Sequence, residues 1–103
     1  MNLNELYKAI NTALDIPRPE RPAIMEKHGG SATNATMAGY WRKPDDSRYR
    51  RVTPPTLLMY CQGIMALCPP DNPVHLAALE KIIDTFERKA WLGEDIMAAF
   101  TDD

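Results

Sequence analysis

Apolar residues recur every three or four positions along most of this chain, which is the spacing of one face of an α-helix. No segment alternates between apolar and polar residues for long enough to form a strand. The pattern therefore predicts an all-α fold, a compact single domain of five to six short helices. The predicted helices are helix 1 over 3–14, helix 2 over 21–27, helix 3 over 33–42, helix 4 from Thr53 to Pro69-Pro70, helix 5 from Asn72 to Gly93, and a short last helix over 94–100.

Capping residues and prolines mark most of these helix ends. Asparagine, serine and threonine side chains accept hydrogen bonds from the first free N–H groups of a helix, and proline is favoured in the first turn. Thr53-Pro54 and Asn72-Pro73 both have this pattern, so they give the clearest start signals. The other predicted signals are Asn2, Ser31 or Thr33 as N-caps, Pro17 and Pro19 ending helix 1, Gly29-Gly30 ending helix 2, and Gly93 closing helix 5.

Helix 4 has the broadest apolar face, and we expect it to lie at the centre of the core. That face includes Cys61 and Cys68, which we expect to be small core residues. Their Cα atoms would lie ~10 Å apart on one helix, which is too far for a disulfide. On helix 3 we expect Met37, Tyr40 and Trp41 to point inward. Two cysteines without a nearby histidine do not indicate a zinc site, and we predict no metal and no cofactor.

The length of 103 residues is that of one domain, so we expect residues 1–103 to share a single core. No apolar run approaches the ~20 residues of a membrane span. The first residues lack the basic and apolar segments of a signal peptide, so we expect no membrane association and a cytoplasmic location. No Ser-His-acid or Cys-His arrangement can be assembled, so we do not expect an enzyme.

Positive charge is concentrated in one segment of a chain whose net charge is −2. Residues 1–51 carry nine basic and six acidic side chains, whereas residues 52–103 carry three and eight. Within residues 40–51 lie five basic side chains, two acidic ones and three aromatic ones. We call residues 42–51 the basic loop, and we expect any binding surface to lie there.

One part of the sequence, about residues 3–67, resembles a known bacterial family. The matching features are the apolar pattern of 6–14, Gly29, Trp41, Arg42-Lys43, Asp45-Asp46, Tyr49, Arg51, Leu57 and the run from Tyr60 to Met65. This pattern is similar to the YehS-type domain of unknown function. The resemblance implies a small all-α unit, and because the family has no established activity it implies no function. That family usually carries two copies of the unit, whereas this chain has one followed by additional helices over 72–100.

Helices 2 and 3 form a helix-turn-helix-like arrangement in sequence, a motif that places its second helix in the major groove of DNA. Asparagine can read adenine with two hydrogen bonds, and basic side chains around the helix would contact phosphates. We therefore hypothesise a small DNA-binding transcriptional regulator of bacterial or phage type, bound to double-stranded DNA. This hypothesis would fail if the outer face of helix 3 were buried. The predicted DNA contacts are Thr33, Asn34, Thr36, Arg42, Lys43, Arg48, Tyr49, Arg50 and Arg51.

Two alternatives stay open from the sequence. Asp45 and Asp46 would reduce the charge of the basic loop if they paired with its arginines, which would make it a structural turn. The acidic C-terminal half, with Met59, Met65 and Met97 beside Trp91 and Phe100, would either fill the core or form a soft surface for a protein partner. The second hypothesis is therefore a non-enzymatic protein-interaction module, such as a phage or mobile-element adaptor that binds a host protein. A single copy of a usually doubled unit also suggests a homodimer.

Overall fold

The computed structural model describes residues 2–101, and these residues form an all-α domain, as predicted. Six α-helices account for most of the structure, and residues 2–101 contain no strand. A 3₁₀ turn, Arg18–Glu20, leads into α2, and another, Glu94–Met97, leads into α6. The helices are α1 (Leu3–Ala13), α2 (Arg21–Glu26), α3 (Asn34–Trp41), α4 (Pro54–Leu67), α5 (Pro73–Glu87) and α6 (Ala98–Thr101).

Four helices begin at side-chain caps that the sequence predicted. The side chains of Asn2 and Asn72 each accept two backbone N–H groups at the starts of α1 and α5. Thr33 and Thr53 each accept one, at the starts of α3 and α4. These bonds satisfy donors that have no partner inside the helix, so they fix where each helix begins.

Two helices are followed by a non-glycine residue in the left-handed conformation. Asp15 (φ 53°) follows α1, whose end at Ala13 is one residue from the predicted one, and Lys89 (φ 57°) follows α5. The prediction that Gly93 closes helix 5 is wrong, because α5 ends at Glu87 and Gly93 instead precedes the second 3₁₀ turn. The end of α2 was predicted correctly, since Gly29 has φ 91°.

Helix α4 lies at the centre of the core, as its apolar face predicted. It packs on α2, α5 and α1. Gly63 is buried at the contact with α2. A methyl group at this position would collide with the backbone carbonyl of Ile24, so the contact depends on glycine. The fully buried side chains of α4 are Leu57, Tyr60, Cys61 and Ile64.

Two residues expected in the core lie at the surface. Trp41 is 38% exposed, because Gly39 and Tyr40 occupy the inner positions at the end of α3 and the next residue is rotated by ~100° around the helix. Cys68 is exposed, because α4 ends at Leu67 and the backbone of Cys68 has left the helical conformation (φ −151°, ψ 58°). Cys61 is buried, as predicted.

Tyr7 of α1 is the centre of an aromatic cluster that the sequence did not indicate. Its ring centroid lies 5.6 Å from that of Tyr40 and 4.9 Å from that of Tyr60. The Tyr60 hydroxyl donates a hydrogen bond to Oδ1 of Asn11, whose Nδ2 donates to the Tyr7 carbonyl at 3.0 Å. Burial raises the pKa of all three tyrosines, so they stay neutral at physiological pH.

The C-terminal segment mostly fills the core rather than forming a methionine-rich surface. Met65 and Met97 are partly buried against the core, and Phe100 is buried beside His75. Trp91 is the exception, because 82% of its surface is exposed. The longest helix within residues 2–101 has 15 residues, and none of the helices there has the length and hydropathy to cross a membrane.

Candidate nucleic-acid interface

A buried asparagine of α1 fixes the C-terminal end of the basic loop. Asn4 is 3% exposed, and its Nδ2 donates to the carbonyls of Tyr40 (3.1 Å) and Arg50 (2.8 Å). Its Oδ1 accepts the N–H of Val52 at 2.9 Å. One side chain therefore connects α1, the end of α3 and the segment before α4, with both of its amide donors and one of its two acceptor positions in use.

Gly39 allows the basic loop to lie directly against α3. The N–H of Arg50 donates to the carbonyl of Gly39 at 3.0 Å. A methyl group at Gly39 would collide with the side chain of Arg50 and would lie 2.8 Å from the carbonyl of Arg48. The backbone of this loop is thus held by hydrogen bonds at a position where only glycine leaves enough space.

Asp46 pairs with two of the five basic residues of the loop. Its carboxylate lies 3.3 Å from Arg42 and 3.2 Å from Arg48, and it also accepts the backbone N–H of Arg48 at 2.8 Å. The hydrogen bonds from Arg48, with smaller contributions from the charges of Arg48 and Arg42, lower the pKa of Asp46 to about 2. Among residues 2–101, Lys43, Arg50 and Arg51 form no ion pair. The loop is therefore partly a paired turn and partly a source of free positive charge.

The residues predicted to contact DNA are not gathered in one groove. Arg42 and Lys43 line a groove of about 650 Å³, whereas Tyr49 and Arg51 line a separate groove of about 570 Å³. Arg48 and Arg50 line neither of these grooves, although Arg48 pairs with Asp46, which lines the first one. The predicted set is therefore divided between two grooves and the surface beside them.

The larger groove gathers basic residues from two distant parts of the sequence, and we call it the basic groove. Its basic residues are Arg18 and Arg21, next to the start of α2, and Arg42 and Lys43, after α3. Asp45 and Asp46 also line it, so the four positive charges face two negative ones. The floor includes apolar and aromatic side chains, namely Tyr7, Met37, Ala38 and Trp41.

Arg21 joins the start of α2 to the end of α3. Its guanidinium carbon lies 4.3 Å from the centroid of the Trp41 ring, within the range of a cation–π contact. Its Nε and Nη2 both donate to the carbonyl of Ile16, at 3.3 and 3.1 Å. Arg21 is thus held in place, with its charge at the edge of the basic groove. Sequence reasoning missed Arg18 and Arg21, because no local pattern shows that their segment packs beside Trp41.

The outer face of α3 is accessible, which the DNA hypothesis requires. Thr33 and Asn34 are exposed and Thr36 is half-buried. The hydroxyls of Thr33 and Thr36 are hydrogen-bonded to each other at 2.8 Å, so Asn34 has the freer polar side chain. Asn34, Ala38 and Trp41 are four and three positions apart, so they share one face of the helix. That face leads from the N-terminus of α3 to the basic groove.

Helices α2 and α3 do not pack mainly against each other. The main contacts of α2 are with α4, and those of α3 are with α1. The Arg21–Trp41 contact connects the two helices at the basic groove. Their relationship therefore differs from a tight helix pair, and α3 is best considered as a single exposed helix beside a basic surface.

Other candidate sites have weaker support. Within residues 2–101, no three His, Cys, Asp or Glu side chains are grouped to hold a metal ion. His28 is exposed, and the ring of His75 stacks on Phe100 with centroids 5.7 Å apart. Burial raises the pKa of the Cys61 thiol, which makes this residue a poor nucleophile.

Comparison of the chain with protein-family models, curated proteins and solved structures finds no match. The resemblance to the YehS-type domain therefore stays a prediction.

Proposed function

We propose that this protein is a small DNA-binding regulator of bacterial or phage type, with α3 in the major groove and the basic groove on the phosphates. One observation carries this proposal. Four basic side chains from separate parts of the sequence converge beside the exposed face of a short helix. Arginine and lysine side chains are the usual phosphate contacts, and a helix that projects next to them can reach the base edges.

The dimensions of α3 suit this role. An α-helix with its side chains is ~10–12 Å across and the major groove of B-DNA is ~12 Å wide, so a helix such as α3 can enter it. The exposed Asn34 at its N-terminal end would offer an amide to a base edge, and adenine is the base that asparagine pairs with best. Base contacts by the first residues of a helix are typical of helix-turn-helix proteins. In this protein the helix that packs against α3 is α1 rather than the preceding helix α2.

The basic residues should contribute unequally. Arg18 and Lys43 are exposed and form no ion pair within residues 2–101, so they are the strongest candidates for phosphate contacts. Arg42 forms an ion pair with Asp46, which partly neutralises its charge, so it should contribute less to phosphate binding. Arg51 lines the other groove, so we expect it to lie outside the main contact.

The proposal is tested by fluorescence anisotropy with a labelled mixed-sequence duplex over a series of salt concentrations. Each neutralised phosphate releases counterions, so the logarithm of affinity should fall linearly with the logarithm of salt, by ~0.9 per contact. Arg18→Ala and Lys43→Ala should each weaken binding and reduce this slope by ~1. Arg51→Ala should change the slope less than either.

The matched control is Lys27→Ala, which removes one exposed positive charge that forms no ion pair within residues 2–101 and lines neither groove. Its slope should equal that of the unchanged protein. If no binding occurs at low salt, or if Lys27→Ala changes the slope as much as Lys43→Ala, the basic groove is not a DNA-binding surface. Asn34→Ala should leave the slope for mixed sequence unchanged, because a base contact adds no phosphate neutralisation.

A further inference from the structure

A second surface, formed by the start of α4 and the end of α5, has an apolar groove beside an exposed tryptophan. The groove has a volume of about 580 Å³, and its apolar walls include Pro54, Pro55, Leu58 and Phe86. Trp91 forms one edge, and it is 82% exposed. Tryptophan is enriched among the residues that dominate binding energy at protein interfaces, and the exposure of Trp91 leaves a large apolar area in water. We call this surface the Trp91 groove.

The Trp91 groove also contains one charge of each sign. Glu87 is the last residue of α5, and Lys89 ends the helix in the left-handed conformation. Both line the groove, and they form no ion pair with each other. The surface therefore combines a projecting side chain, a recess and two opposite charges.

We propose that a second copy of this chain occupies the Trp91 groove. In a two-fold symmetric dimer the same patch of both copies forms the interface and the contacts are reciprocal, so the surface has to be complementary to itself. Trp91 of one copy would enter the recess beside Pro54 and Pro55 of the other. Glu87 of each copy would face Lys89 of the other, which gives two equivalent ion pairs.

The charges favour this occupant over an unrelated protein. A uniformly acidic or uniformly basic partner would meet one attraction and one repulsion here, whereas a two-fold related copy places each of the two charges opposite its complement. The proposal is independent of DNA binding, because none of the residues involved lines the basic groove. Failure of one proposal therefore leaves the other intact.

The test is sedimentation equilibrium of the full chain without DNA, combined with reversal of the two charges. Glu87→Lys or Lys89→Glu alone would place like charges opposite each other twice in a dimer, so each variant should dimerise at least ~10-fold more weakly. An equimolar mixture of these two variants should form heterodimers, because position 87 of each copy then faces the opposite charge at position 89 of the other. The double variant E87K/K89E should recover the dimerisation of the unchanged protein.

The apolar part is tested by Trp91→Ala, which should weaken dimerisation at least ~30-fold if the side chain is an interface anchor. Leu67→Ala is the control, since Leu67 is also an exposed apolar residue, 49% exposed, but lies outside the groove. Glu26→Lys is the control for the added charge, because Glu26 is exposed on α2 and does not line this groove.

A protein that stays monomeric at high concentration would overturn the proposal. So would a dimer that Trp91→Ala leaves unchanged, because its interface would then lie elsewhere. If the single charge variants dimerise weakly but neither their mixture nor the double variant recovers, Glu87 does not face Lys89, and the proposed arrangement is wrong.

Discussion

The side-chain oxygen of Asn4 accepts the backbone N–H of Val52 at 2.9 Å, although the two residues are 48 positions apart. The same side chain donates to the carbonyls of Tyr40 and Arg50. Helix α1 thus holds the end of α3 and the end of the basic loop in a fixed relation. Any binding by these two elements depends on a residue that is buried beneath them.

Asn4→Ala should lower the free energy of unfolding by about 3 kcal/mol, because it leaves three backbone groups without their partner. Urea denaturation monitored by circular dichroism measures this change in the free energy of unfolding. Asn34→Ala is the control, since Asn34 is exposed and its loss should change stability by less than about 0.5 kcal/mol. If the two variants were equally stable, the three hydrogen bonds of the Asn4 side chain would make no net contribution to the free energy of unfolding.

Gly63→Ala should destabilise the protein by about 1–3 kcal/mol, because the added methyl group would force α2 away from α4. In an exposed helix the same change would be stabilising, since alanine has the higher helix propensity. Gly93→Ala is the control, because its methyl group would meet only the flexible side chain of Asp95. Thermal denaturation of both variants measures the difference, and a Tm for Gly63→Ala at or above that of the unchanged protein would contradict the close packing of α2 on α4.

The two cysteines should differ in reactivity in the folded protein. Burial raises the pKa of both thiols, but Cys61 is fully buried whereas Cys68 is exposed to reagents. A thiol reagent at mildly alkaline pH should therefore modify one cysteine per native chain and both in denaturant, since only the accessible thiolate reacts. Cys68→Ser should remove the native reaction. Rapid modification of Cys61 in that variant would mean that α4 is less protected than its burial implies.

The helices could be predicted because their signals are local. Thr53-Pro54 and Asn72-Pro73 combine a cap with a first-turn proline, and the structure places both as expected. Local signals failed where a helix ended by backbone conformation alone, as at Lys89, because lysine carries no preference for the left-handed region.

The candidate surface was harder to predict because it is assembled from distant segments. Arg42 and Lys43 were found from local charge density, but Arg18 and Arg21 join them only through the packing of the α2 region beside Trp41. Asn4 looked like an ordinary polar residue near a helix start, and its three partners lie 36 to 48 positions away. The sequence also suggested that the aspartates of the basic loop pair with its arginines, but it did not indicate which residues would do so. The loop geometry determines that Asp46 pairs with Arg42 and Arg48.

The stability that Asp46 contributes should depend on pH in the acid range. Its pKa falls from 3.8 to about 2 on folding, so the folded state favours the charged form. The contribution is therefore complete above about pH 4 and is lost as the pH falls through about 2. Asp46→Asn should lower Tm at neutral pH by a small amount, because the pair is near the surface, and the difference from the unchanged protein should shrink as the pH falls from about 4 to below about 2. A difference that is constant over this range would contradict a charge-dependent role.

Asp46→Asn should also strengthen DNA binding at neutral pH. The change removes one negative charge from the basic groove and frees Arg42 and Arg48 from their ion pairs. The salt dependence of affinity, measured by anisotropy, should become steeper by up to ~1 for each arginine that gains a phosphate contact. Asp45→Asn is the matched control, because Asp45 lines the same groove and forms no ion pair within residues 2–101. It changes the charge equally but frees no arginine, so it should raise affinity without a comparable change in slope.

If the two variants behave identically, Asp46 acts only through its charge and not through its ion pairs. If the affinity is unchanged in both variants, the DNA binds away from this groove.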